Sequence, residues 1–151
     1  MKNCSRGLEM FDKRGIIDHI RELEQAMEDW RRYRSIPLEE LRRDRDKRNM
    51  VLHALLVGIQ ATIDIANHLI AERSLKRPST YRESFQILSE TGLIPSGLSD
   101  GLSELAGFRN VLVHLYWGLD IEKVYGVLVS GLKVVEEFGK LVKKMISSGG
   151  P

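Results

Sequence analysis

The sequence predicts an all-α protein, an antiparallel four-helix up-down bundle with an additional short helix. Three observations predict it. Apolar residues recur at helical spacing over long stretches. The chain has only four prolines, and they fall between those stretches or at the very end rather than inside them. No segment alternates apolar and polar residues in the two-residue period of a half-buried strand.

Each element can be justified in order. Ile16, Ile17, Ile20, Leu23, Met27 and Trp30 share one helical face, which predicts a first helix from Lys13 to Arg34. Ser35-Ile36-Pro37 ends it. Pro37 suits the entry to a second helix, with Glu39 and Glu40 near its positive end. That helix is expected to run unbroken from Leu38 to Arg73 and, being apolar around much of its girth between Met50 and Ile70, to sit centrally or to line a homodimer interface. Lys76-Arg77-Pro78-Ser79 forms a turn, and Ser79 is an imperfect capping signal for a short third helix, Thr80 to Glu90. Thr91-Gly92-Leu93-Ile94-Pro95 connects, with Gly92 as the helix stop. A fourth helix follows from Ser99 to Leu115. Gly118 stops it and Asp120 caps a fifth, Ile121 to Ile146, whose stripe is Val124, Leu128, Leu132, Val135, Phe138 and Val142.

At 151 residues the chain is read as one domain, with residues 1–12 as an N-terminal extension and 147–151 as a frayed tail. Hydrophobic residues make up 42% and charged residues 29%, which excludes an intrinsically disordered chain. A net charge of +2 permits a nucleic-acid partner without demanding one. Cys4 is the sole cysteine, so an intramolecular disulfide and a Cys-rich zinc site are excluded. The first residues lack the apolar core of a signal peptide, and His53, Gln60, Asp64, Asn67 and His68 interrupt the apolar second helix. The expectation is a cytoplasmic protein with no membrane span.

Chemistry concentrates in Arg109-Asn110-Val111-Leu112-Val113-His114-Leu115-Tyr116. Arg grips a phosphate bidentately, His exchanges protons near pH 7, and Tyr offers a hydroxyl. Arg109 and His114 are five residues apart, hence about 140° apart around an ideal helix, while Asn110 and His114 share a face. One regular helix would not aim Arg109 and His114 at the same atom. Either the helix loosens near His114, or a second chain completes the site. By spacing alone these residues also fit a paired Arg, a His at a helix end and a packed Tyr.

The motif resembles the Arg-X-X-X-X-His signature of the HEPN superfamily of helical ribonucleases. With Asn110 after the Arg, and Tyr116 and Trp117 after the His, it is similar to the HepT branch, toxins encoded beside MntA-type minimal nucleotidyltransferase antitoxins. The likeness extends to Ile63-Asp64-Ile65-Ala66-Asn67-His68-Leu69-Ile70, to Pro78-Ser79-Thr80-Tyr81-Arg82-Glu83-Ser84-Phe85 with Leu88 and Gly92-Leu93-Ile94-Pro95, and to Leu105-Ala106-Gly107-Phe108 before the Arg. It covers Ile16 to Leu141. The resemblance implies a HEPN-like homodimer acting as a metal-independent endoribonuclease, needing no cofactor. Arg109, His114 and Asn110 would be its catalytic residues. A ribose 2′-hydroxyl would attack the adjacent phosphate, with His114 moving the proton and Arg109 steadying the phosphorane. Two facing copies would supply both a base and an acid. It further implies that the antitoxin attaches AMP to Tyr116, placing bulk and negative charge beside Arg109.

Other features carry less. Arg42-Arg43-Asp44-Arg45-Asp46-Lys47-Arg48 reads first as a solvated helix face with Glu39/Arg43 and Asp44/Arg48 pairs. Arg45 and Arg48 also extend the apolar stripe of the second helix, where they could bind RNA phosphates. His53, Gln60, Asp64 and His68 trace a polar line along that helix, better read as a satisfied seam than as a metal site, for want of a third ligand at the right spacing. An alternative reading of the whole chain is a non-catalytic helical adaptor that binds nucleotide or its partner enzyme, with Arg109 gripping a phosphate.

Overall fold

A computed structural model gives the structure of the chain; it describes residues 2–114 and 118–148, with side chains from residue 15 onward. The described residues form six helices: α1 Lys2–Tyr33, α2 Leu38–Arg43, α3 Arg45–Glu72, α4 Tyr81–Glu90, α5 Ser96–His114 and α6 Ile121–Ser147. Among the described residues there is no strand. The expected all-α bundle is present. Its four long helices are α1, α3, α5 and α6, with α4 laid against α5 and α3.

The second helix is not continuous. Asp44 takes an extended conformation (φ −104°, ψ 105°), and its carboxylate accepts from the backbone N–H groups of Asp46 and Lys47 at 3.0 and 3.2 Å. An Asp that can satisfy two orphan donors competes with helix continuation, and here it wins. Arg48 closes the corner from the other side: its Nη1 donates to the carbonyls of Leu41 (2.9 Å) and Arg42 (3.1 Å), the unpaired end of α2. Asp44 and Arg48 therefore share the first backbone hydrogen bond of α3, Arg48 N to Asp44 O at 3.0 Å, rather than the expected side-chain ion pair. The ion pairs of the charge run are instead Arg42–Glu39, Arg42–Glu122 and Lys47–Glu40, at 3.1, 2.6 and 2.6 Å.

Other boundaries shift for local reasons. α1 begins at Lys2 rather than Lys13, since residues 2–12 hold no proline and a single glycine. Thr80, not Ser79, caps α4: its hydroxyl accepts from Glu83 N, and the Glu83 carboxylate reaches back to Ser79 N at 3.0 Å. The turn after α4 is made at Gly92, with φ +80°, Gly92 N donating to Ser89 O and Leu93 N to Leu88 O. α3 ends in the same double-bonded turn, with Ser74 forced to φ +53° where glycine would be at ease.

The core forms around α3, which contacts every other helix. α3 is long and apolar enough by composition to cross a membrane, yet 61% of its most apolar window is buried inside the fold. At the centre, Trp30 of α1 is fully buried and donates its indole N–H to the Leu128 carbonyl at 2.7 Å. Two glycines admit that ring. A Cβ on Gly58 of α3 would lie 3.2 Å from Trp30, and one on Gly131 of α6 would lie 3.0 Å from it. Phe85 and Phe138 meet edge to face at 6.0 Å and tie α4 to α6.

Candidate active site

α5 stays α-helical through His114, so the helix does not loosen between Arg109 and His114, and the two side chains leave it in different directions. Arg109 is half-buried and turned inward. Its Nε donates to Gln60 Oε1 of α3 at 2.7 Å, and Gln60 Nε2 in turn donates to Asp64 Oδ1 at 2.9 Å. The guanidinium carbon sits 5.1 Å from the ring centroid of Tyr81, the first residue of α4. Three helices thus hold one cation. The hydrogen bond uses the Nε edge; among the described residues no hydrogen bond engages Nη1 or Nη2. That free fork is the edge that recognises phosphate.

Asn110 and His114 are exposed on the same side of α5. Asn110 forms part of the wall of a cleft of about 920 Å³ between the end of α3 and the start of α4. Tyr116 lies outside the described residues. Arg45 is exposed and Arg48 half-buried; both line a second cleft of about 690 Å³ that also touches His53 and Leu112. Arg48 is occupied by the α2 carbonyls, so of the two Arg45 is the freer cation.

The polar line on α3 divides into three. His53 faces the cleft of Arg45. Gln60 and Asp64 belong to the Arg109 network. His68 meets His19 of α1 edge to face, with ring centroids 6.1 Å apart. Among the described residues no group of three His, Cys, Asp or Glu side chains is placed to hold a metal.

Two residues of this site were not singled out by the sequence. Gln60 stood in the polar line with no link to Arg109, 49 residues away. Tyr81 gave no signal beyond its place in a connecting segment, because its contact with Arg109 depends on the packing of α4 against α5.

An all-helical bundle carrying Arg-X-X-X-X-His at the end of its penultimate helix defines a HEPN-class domain. The model of the HepT-like ribonuclease family matches residues 23–142, and the chain belongs to that family. It is 38% identical over 84 residues to the mRNA nuclease HepT of Shewanella oneidensis, covering 56% of this chain and 63% of that protein. The match therefore spans just under two thirds of that curated relative's length. In structure it is similar to the tri-AMPylated Shewanella oneidensis HEPN toxin solved in complex with an MNT antitoxin, with a TM-score of 0.78 and 29% identity over 85% of this chain and 96% of that one. The cytosolic protein YutE of Bacillus subtilis has the same fold, with a TM-score of 0.68, at 17% identity over 85% and 92% of the two chains.

Proposed function

We propose that this chain is the toxin of a toxin–antitoxin pair, an endoribonuclease restrained by a nucleotidyltransferase of the MntA type. The observation that carries this reading is Arg109, held at Nε by Gln60 and faced by Tyr81, with its phosphate-binding fork unpaired among the described residues. Membership of the HepT-like ribonuclease family and likeness to a toxin solved with its antitoxin support it.

The reaction needs no metal. The ribose 2′-oxygen bonds to the adjacent phosphorus, a base removes the 2′ proton, and the bond to the 5′-oxygen breaks as an acid returns a proton to it. A 2′,3′-cyclic phosphate and a 5′-hydroxyl result. Arg109 neutralises the extra charge on the phosphorane. His114 is the proton carrier, and Asn110 donates a hydrogen bond to phosphate or orients His114. A single exposed His114 cannot be base and acid in the same step, so a second copy of the chain supplies the other imidazole across a homodimer cleft. Arg45 would hold a flanking phosphate of the strand, with Arg48 adding positive charge beside it while its Nη1 stays on the α2 carbonyls. AMP on Tyr116 would crowd Arg109 and repel RNA phosphate.

Purified protein should cleave single-stranded RNA in the presence of a chelator, and His114→Ala and Arg109→Ala should each abolish cleavage while keeping the helical circular-dichroism spectrum. Full activity in either variant overturns the assignment. Incubation with the antitoxin and ATP should add AMP mass to the wild type and none to Tyr116→Phe; an undiminished gain on the variant removes Tyr116 from the scheme.

A further inference from the structure

A cleft opens beside Arg109, walled in part by its chain neighbour Asn110 and by Tyr81. It is about 920 Å³, within the roughly 300–1,000 Å³ usual for small-ligand sites. Its floor is apolar, made by Ile70, Ala71 and Leu75 where α3 ends. Its rim is polar, with Asn67, Arg77 and Asn110 on different elements. Tyr81 joins the two regions, since the ring that carries the Arg109 guanidinium also lines this cleft.

The charge pattern selects a ligand class. None of the described residues lining the cleft is acidic, and Arg77 is exposed without an ion pair to a described residue. Asn67 Oδ1 accepts from the buried Ser84 hydroxyl at 2.7 Å, which commits the carbonyl end and leaves its amide N–H groups as donors. Asn110, exposed and one residue from Arg109, sets this cleft next to the phosphate that Arg109 would grip. An apolar floor, the Asn67 amide and one unpaired guanidinium match a nucleobase, its edge and its phosphate.

We propose that this cleft holds the nucleotide of a single RNA strand adjacent to the phosphate that Arg109 grips. The proposal rests on the ribonuclease reading above. The base lies on Ile70 and Leu75 against Tyr81, the Asn67 amide meets its edge, and Arg77 pairs with its phosphate. Base preference at this position is then set by Asn67.

Two exposed positions outside the Arg109 network test it. Arg77→Glu reverses the cation, and Ala71→Trp fills the floor. Each should raise KM for an RNA strand about tenfold, the effect of one charge-assisted contact, with kcat within about threefold of wild type. Direct binding is measured with a 2′-O-methylated RNA tetranucleotide, which has no attacking hydroxyl. Wild type and His114→Ala should bind it alike, and both cleft variants about tenfold more weakly. Cleavage by wild type with KM and tetranucleotide affinity unchanged in both cleft variants overturns the inference and spares the ribonuclease reading. A wild type that cuts no RNA, yet binds the tetranucleotide through Arg77 and Ala71, overturns the ribonuclease reading and leaves a nucleotide site. Wild type that neither binds nor cuts overturns both.

Discussion

Gln60→Leu isolates the support of Arg109 from Arg109 itself. The change removes two hydrogen bonds, at 2.7 Å to Arg109 Nε and at 2.9 Å to Asp64. Each involves a charged partner, worth about 1.5–3 kcal/mol when fully desolvated. All three side chains are only half-buried, so water can replace much of what is lost. The net cost should be about 1 kcal/mol, or roughly 2–4 °C in Tm for a chain of this size. Activity should suffer far more. Without Gln60, Arg109 keeps Tyr81 beneath it but loses the bond that fixes its rotation, and a displacement of about 1 Å can cost about a hundredfold in rate. The assay is single-turnover RNA cleavage alongside a thermal melt. A Gln60→Leu variant within twofold of wild-type rate, where Arg109→Ala is dead, refutes the claim that α3 positions the guanidinium.

Further outcomes concern the scaffold. Gly126→Ala should raise stability by about 0.5–1 kcal/mol, since nothing lies within 4 Å of the added Cβ, whereas Gly131→Ala should lower it despite the same helix gain, because its Cβ meets Trp30 at 3.0 Å; chemical denaturation that gives both changes the same sign contradicts the packing described. Ser74→Gly should stabilise by about 0.5–1 kcal/mol by relieving the positive φ at the end of α3, and a loss in urea midpoint would contradict it. Asp44→Ala should cost about 1 kcal/mol through the lost α3 cap, read from the same melts, and an unchanged midpoint would mean the corner stands without it.

Most of the bundle was legible because its signal is repetitive. The stripe from Val124 to Val142 repeats the same spacing turn after turn, and all six of its residues are buried. The break at Asp44 was hidden because a capping Asp and a salt-bridged Asp look alike inside a run of alternating charges. The bonds that decide between them, from the Asp44 carboxylate to two backbone N–H groups and from Arg48 to α2, are visible only once the chain has turned. The angular mismatch of Arg109 and His114 followed from helix geometry alone, and a regular α5 through His114 preserves it. The partners of Arg109 were not legible, since Gln60 and Tyr81 are brought to it by the packing of separate helices.

Trp30 also gives the molecule a built-in optical gauge. Its indole is wholly excluded from water and bound to the Leu128 carbonyl, wedged between glycines of α3 and α6. Its emission is therefore blue-shifted while α1, α3 and α6 remain docked and moves to the red when they part. The chain has only two tryptophans, so Trp30→Phe leaves Trp117 as the sole indole, adjacent in sequence to Tyr116. Fluorescence of the paired single-tryptophan proteins can then follow global unfolding through one and test the proposed attachment of AMP to Tyr116 through the other.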